Sequence, residues 1–138
     1  MKPALVAVPA TAEFVRAASQ FVVQTARHLG VPAAASPLFE VAIVEALANA
    51  VKHGSRGRSD AMITCEVEKT GSGLSIRIYD EGEGFSPAGR AALPVDPASA
   101  DITAIPESGY GVPIMQSVFH EIDARRENGR FCLELKLA

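Results

Sequence analysis

Two polar residues interrupt the otherwise apolar stretch from Val41 to Val51: Glu45 and Asn49, four positions apart. On a helix they share a stripe with Val41 and Ala42, and His53 continues it one turn later. A carboxylate on a buried helix face is costly unless something pairs with it. A carboxylate beside an amide suits a hydrated magnesium ion carrying phosphates. The alternative is a tilted helix that leaves both residues at a solvated rim. His53, next to Gly54, reads as a helix-end or surface residue.

A second group is Asp80-Glu81-Gly82-Glu83-Gly84-Phe85, directly after a strand-like run whose inward face ends at Asp80. A calcium loop would need further oxygen ligands and a bidentate glutamate that the run lacks. Two glycines behind an inward carboxylate instead permit a tight turn and close backbone approach to a flat ligand. A third group, Gly109-Tyr110-Gly111, leads into a helix from about Val112. Its free N–H groups and positive dipole end favour phosphate, and Pro113 is tolerated in a first turn. The strand-turn-helix of a dinucleotide fingerprint is missing there.

The elements that must position these groups follow from periodicity. Leu5 to Val8 reads as an edge strand, in preference to the apolar part of a leader peptide, because Pro3 and Pro9 break the run. Thr11 is a candidate N-cap, with Glu13 in the first turn and Phe14, Ala18, Phe21, Val22, Thr25 and Leu29 at helical spacing. Gly30 and Pro32 end that helix. Ser36-Pro37 opens a second, running to about His53 and apolar nearly all round, which predicts burial against a sheet. The period then becomes two: Ile63, Cys65 and Val67 form one strand face. After Thr70-Gly71-Ser72-Gly73 turns the chain, Leu74, Ile76, Ile78 and Asp80 form the next. Ser86 to Ser108, with Pro87, Pro94, Pro97 and Pro106, is a long loop. A third helix from about Val112 to Phe119 precedes a hairpin at Asn128-Gly129, with Phe131, Leu133, Leu135 and Leu137 facing inward.

Helices with a mostly antiparallel sheet predict an α+β fold, a two-layer α/β sandwich with helices on one face. With 138 residues, a single domain over 1–138 is expected. Hydrophobic residues at 48% and charged residues at 21% exclude a disordered chain. A net charge of −3, with scattered Lys and Arg, argues against direct nucleic-acid binding. Cys65 and Cys132 lack the spacing of a zinc site or redox pair and read as sheet residues. No run reaches the roughly 18 apolar residues of a membrane helix, so a cytoplasmic protein with no membrane partner is expected.

Taken in order, Glu45-x-x-x-Asn49, Asp80-x-Gly82-x-Gly84 and Gly109-x-Gly111 resemble the N, G1 and G2 boxes of the GHKL ATPases, the histidine-kinase-like ATPase superfamily. The run Glu45-Ala-Leu-Ala-Asn49-Ala-Val-Lys-His53 is most similar to the anti-sigma-factor serine/threonine kinases. The resemblance implies ATP and Mg2+ as cofactors, with Asn49 on the metal and Asp80 on the adenine amino group. It further implies Gly82, Gly84, Gly109 and Gly111 around the nucleotide, Glu45 as base, and the loop before Gly109 as a lid. Val112 stands where leucine is common, and Arg130, Phe131 and Cys132 where a threonine near adenine is frequent. Arg90 is a phosphate contact or a solvated loop residue.

The implied function is an ATP-dependent serine/threonine protein kinase acting as an anti-sigma factor and phosphorylating an anti-sigma-factor antagonist. Its partners would be a sigma factor and that antagonist, and a homodimer is among the assemblies the resemblance allows. A second class is a non-catalytic ATP-binding module that sequesters a sigma factor or antagonist. A histidine-kinase catalytic domain ranks last, because no dimerisation helix with a phospho-accepting histidine precedes the N box.

Overall fold

The computed structural model describes residues 2–54, 60–71, 73–82 and 111–137. Among them run strand β1 (Ala4–Pro9), helix α1 (Ala12–His28), a 3-10 turn (Pro32–Ala35), helix α2 (Pro37–Gly54), strands β2 (Met62–Thr70) and β3 (Gly73–Asp80), helix α3 (Gly111–Val118), and strands β4 (Glu121–Glu127) and β5 (Arg130–Leu137). The sheet order is β1-β2-β3-β5-β4, and every described pairing is antiparallel. The α+β sandwich read from periodicity is therefore observed.

Local chemistry accounts for the element ends. Thr11 sits at the N-cap with extended backbone and its carbonyl accepts the Phe14 N–H at 3.0 Å, although its hydroxyl makes no capping bond. Gly30, at φ 77°, turns the chain out of α1 in the left-handed region where L side chains are strained. At α2 the cap is a side-chain one: the Leu38 N–H donates to Ser36 Oγ at 3.2 Å, with Pro37 in the first turn. Asn128 and Gly129 both take positive φ, 53° and 79°, in the two-residue turn that joins β4 to β5.

The core lies between the helices and the inner sheet face, where Ile63, Cys65, Val67, Ile76, Ile78, Leu133 and Leu135 are buried. In α1 the buried stripe is Ala18, Ser19, Val22, Val23 and Ala26, turned somewhat from the expected one, so that Phe14, Phe21 and Leu29 lie at its margin. In α2 the expectation of burial all round is corrected. Phe39, Ala42, Ile43, Ala46, Leu47 and Ala50 are buried, but Leu38 and Val41 are 46% and 43% exposed. The helix packs against α1 and α3 and over β3, leaving its opposite side uncovered. The rings of Phe39 and Phe119 meet at 6.0 Å between centroids, fastening the start of α2 to the end of α3.

Candidate nucleotide site

Asn49 sits in the second half of α2, 6% exposed, while Glu45, one turn earlier, is half-buried. The stripe expected to carry both thus runs from a rim position at Glu45 to an enclosed one at Asn49. No described residue hydrogen-bonds the Asn49 amide, and among the described residues no fully buried side-chain nitrogen or oxygen lacks a partner. The amide must therefore touch open space and stands available to a ligand.

Asp80 ends β3 on the inner face, 3% exposed, as the alternation predicts. Its Oδ1 accepts the Gly82 N–H at 2.8 Å, closing a tight turn around Glu81. No described group bonds Oδ2, which by the same reasoning as for Asn49 reaches open space. Burial pushes the Asp80 carboxyl above its ordinary range, and the Gly82 N–H and the charge of Arg126 offset this only in part. A buried carboxylate with one tied oxygen and one open oxygen is poised to accept a hydrogen bond from an incoming N–H donor.

The turn is fastened from both sides. The Met62 N–H donates to Glu81 Oε2 at 2.5 Å from the β2 side, and Arg126 Nη1 donates to the Gly82 carbonyl at 3.0 Å from the β4 side. Gly111 begins α3, which packs on α2. Gly84, Gly109, Arg90 and the 86–108 loop lie outside the described residues. Glu45, Asn49, Asp80, Gly82 and Gly111 therefore fall on α2, the end of β3 and the start of α3, three elements of which α2 contacts both others.

Arg126 escaped the reading of the sequence, which placed Phe131 on the inner face but not beside Asp80. Asp80 pairs with Phe131 and Phe131 with Arg126, so the three occupy one rung across β3, β5 and β4. The Asn128-Gly129 turn implies the second of those pairings. The first is long-range, with no local signal.

Among the described residues no group of three or more His, Cys, Asp or Glu could hold a metal ion. Magnesium, which keeps most of its ligands as water and phosphate oxygens, needs no such cage, and the open Asn49 amide fits the one or two protein contacts it takes. Cys65 and Cys132 are free and buried; burial pushes the Cys65 thiol up to about 12 and raises Cys132 as well, so neither is a reactive thiolate.

Residues 8–137 match the sequence model of the family described as the Histidine kinase-like ATPase domain. An anti-sigma F factor of Clostridium beijerinckii is 28% identical over 92 residues, covering 65% of this chain and 62% of the relative. An anti-sigma F factor of Clostridium acetobutylicum is 29% identical over 91 residues, covering 66% and 61%. The alignments thus span about three fifths of those relatives. The crystal structure of the RsbU and RsbW domains of Rv1364c from Mycobacterium tuberculosis superposes with a TM-score of 0.64 at 16% identity, over 99% of this chain and 32% of that one, a likeness of fold. No described helix is long and apolar enough to cross a membrane.

Proposed function

The chain belongs to the histidine kinase-like ATPase family, whose domain implies ATP binding, and on that premise we propose that it is an anti-sigma-factor serine/threonine kinase. It would move the terminal phosphoryl group of ATP to a hydroxyl on an antagonist protein and hold a sigma factor when that antagonist is phosphorylated. The names of the two clostridial relatives support the regulatory setting, and a cytoplasmic location is part of the proposal.

The observation that carries the reading is the graded burial along α2. Glu45 at the rim can meet a hydroxyl brought by another protein, while Asn49 one turn on stays enclosed. In phosphoryl transfer most of the catalysis is positioning and electrostatics. Asp80 Oδ2 would accept the adenine amino N–H, and the Gly82 turn, with Gly84 after it, would lie against the base. Gly109 and Gly111 would present backbone N–H groups to the phosphates at the start of α3. Asn49 would hold magnesium, whose charge neutralises that developing on the phosphate oxygens. Glu45 would take the proton from the attacking hydroxyl.

The test is transfer of labelled phosphate from ATP to candidate antagonist proteins in magnesium. Glu45→Gln keeps the shape and removes the base, so it should bind ATP normally and lose transfer by about two to four orders of magnitude. Asn49→Ala should weaken only the magnesium-dependent part of ATP binding. Intact transfer by Glu45→Gln would remove Glu45 as base. A parent protein that binds an antagonist tightly in ATP yet transfers nothing to it would establish the non-catalytic binding module instead.

A further inference from the structure

The turn that follows β3 carries the adenine-facing carboxylate, and a turn leaving the end of a strand has few bonds of its own to fix it. Here Arg126 supplies one from two strands away. Its guanidinium forks: Nη1 donates to the Gly82 carbonyl at 3.0 Å and Nη2 to the Gly129 carbonyl at 3.1 Å. One side chain thereby ties the Asp80–Gly82 turn to the β4–β5 hairpin turn at the same end of the sheet. The arm crosses β5 at Phe131, the residue between Asp80 and Arg126 in the shared rung.

The geometry points to Arg126 as a positioning residue of the nucleotide site, locking the Asp80–Gly82 turn to the β4–β5 hairpin so that Asp80 keeps its free oxygen available to the amino group of the base. The inference rests on the nucleotide reading above. Two considerations separate this role from simple stabilisation. Arg126 is itself exposed, and polar contacts of exposed arginines contribute little to folding, so its fork is better explained by what it holds. A planar fork also fits two carbonyls at set positions in a way that a lysine ammonium on a flexible stem does not. The positive charge near Asp80 works in the same direction, because burial otherwise disfavours the ionised carboxylate that accepts the bond.

The experiment measures binding of ATP and of purine riboside triphosphate, which lacks the amino group, to the full chain in magnesium. The variants are Arg126→Met, Arg126→Lys, Asp80→Ala and the Asp80→Ala/Arg126→Met pair. The parent should prefer ATP by about ten- to a hundredfold, the worth of one hydrogen bond to a charged acceptor. Arg126→Met should lose most of that preference, with purine riboside triphosphate affinity changed less than about twofold and the melting temperature within about 3 °C of the parent. Arg126→Lys should recover only the smaller part that the charge contributes, since it keeps the charge without the fork. The double variant should match Asp80→Ala alone, the non-additivity expected of two residues acting through one contact. Additive losses, an equal loss for both nucleotides in Arg126→Met, or full recovery in Arg126→Lys would overturn the lock while leaving the ATP site standing. A parent that binds neither nucleotide, or binds them equally, would remove the adenine reading and the lock with it.

Discussion

The two faces of the sheet treat charge in opposite ways. On the inner face apolar side chains continue to the end of β3, where a single carboxylate, Asp80, keeps one oxygen unpaired among the described residues. On the outer face no described helix covers the strands, yet Ser75, Tyr79 and Cys132 are buried beneath long charged side chains. Arg77 reaches Glu66, Glu68 and Glu134 at 3.5, 3.1 and 3.6 Å, and Arg125 reaches Asp123, Glu127 and Glu134 at 2.9, 3.0 and 2.9 Å. The Arg130 guanidinium lies 4.3 Å over the Tyr79 ring. Glu134 is the outer counterpart of Asp80. Burial pushes its carboxyl up, but the Ser75 hydroxyl at 2.6 Å and Arg125 outweigh that and hold it below the usual carboxylate range. A carboxylate whose oxygens are both occupied serves the fold; one with an oxygen to spare can serve a ligand.

The sharpest way to break this contrast is Glu134→Ala. It leaves two arginines without their central partner and the Ser75 hydroxyl without its acceptor, and should cost about 2–4 kcal/mol in urea unfolding. The folded fraction should bind ATP as the parent does; lost binding would mean that the outer face takes part in the site. Next in size is Asp80→Asn, which should weaken ATP by about 1.5–3 kcal/mol while leaving the free protein as stable as the parent or more so at neutral pH. A fall in both would make Asp80 a structural residue like Glu134.

Acidity separates the two carboxylates by sign. For Asp80 the folded value is raised, so its stabilising contribution is present below the ordinary aspartate range and is lost as pH rises through the folded value. For Glu134 the folded value is lowered, so its contribution is present above the ordinary glutamate range and is lost as pH falls through the folded value. On acidification from neutrality, the stability advantage of Asp80→Asn over the parent should shrink, and so should the stability deficit of Glu134→Gln. Parallel curves for either pair would remove that carboxylate from the contrast. The smallest effect concerns the thiols, one beneath each face. Cys65 and Cys132 should both resist alkylation at neutral pH in the native protein and react once it is unfolded. Rapid labelling of Cys132 alone would show that the charged roof opens.

Much of this was legible in the residues because it is periodic. Alternation placed Asp80 on the inner face, and the Asn128-Gly129 pair marked the last hairpin. The position of Asn49 followed from its spacing to Glu45. What escaped depends on contacts distant along the chain. Leu38 and Val41 look like core residues of α2, and only the packing of α1 and α3 at its sides shows which stripe remains uncovered. Arg126 looks like any charged residue of an edge strand until β5 is seen to lie between β4 and β3.

That placement of β5 also dictates an order of events during synthesis. β5 is made after β3 and β4 but lies between them. A ribosome that has released the chain only as far as β4 leaves one side of β3 with unpaired backbone groups and Asp80 without its neighbour in the rung. Among the described residues β4 pairs with no strand but β5, so the two must join β3 as one hairpin, and only then is the rung that holds Asp80 complete.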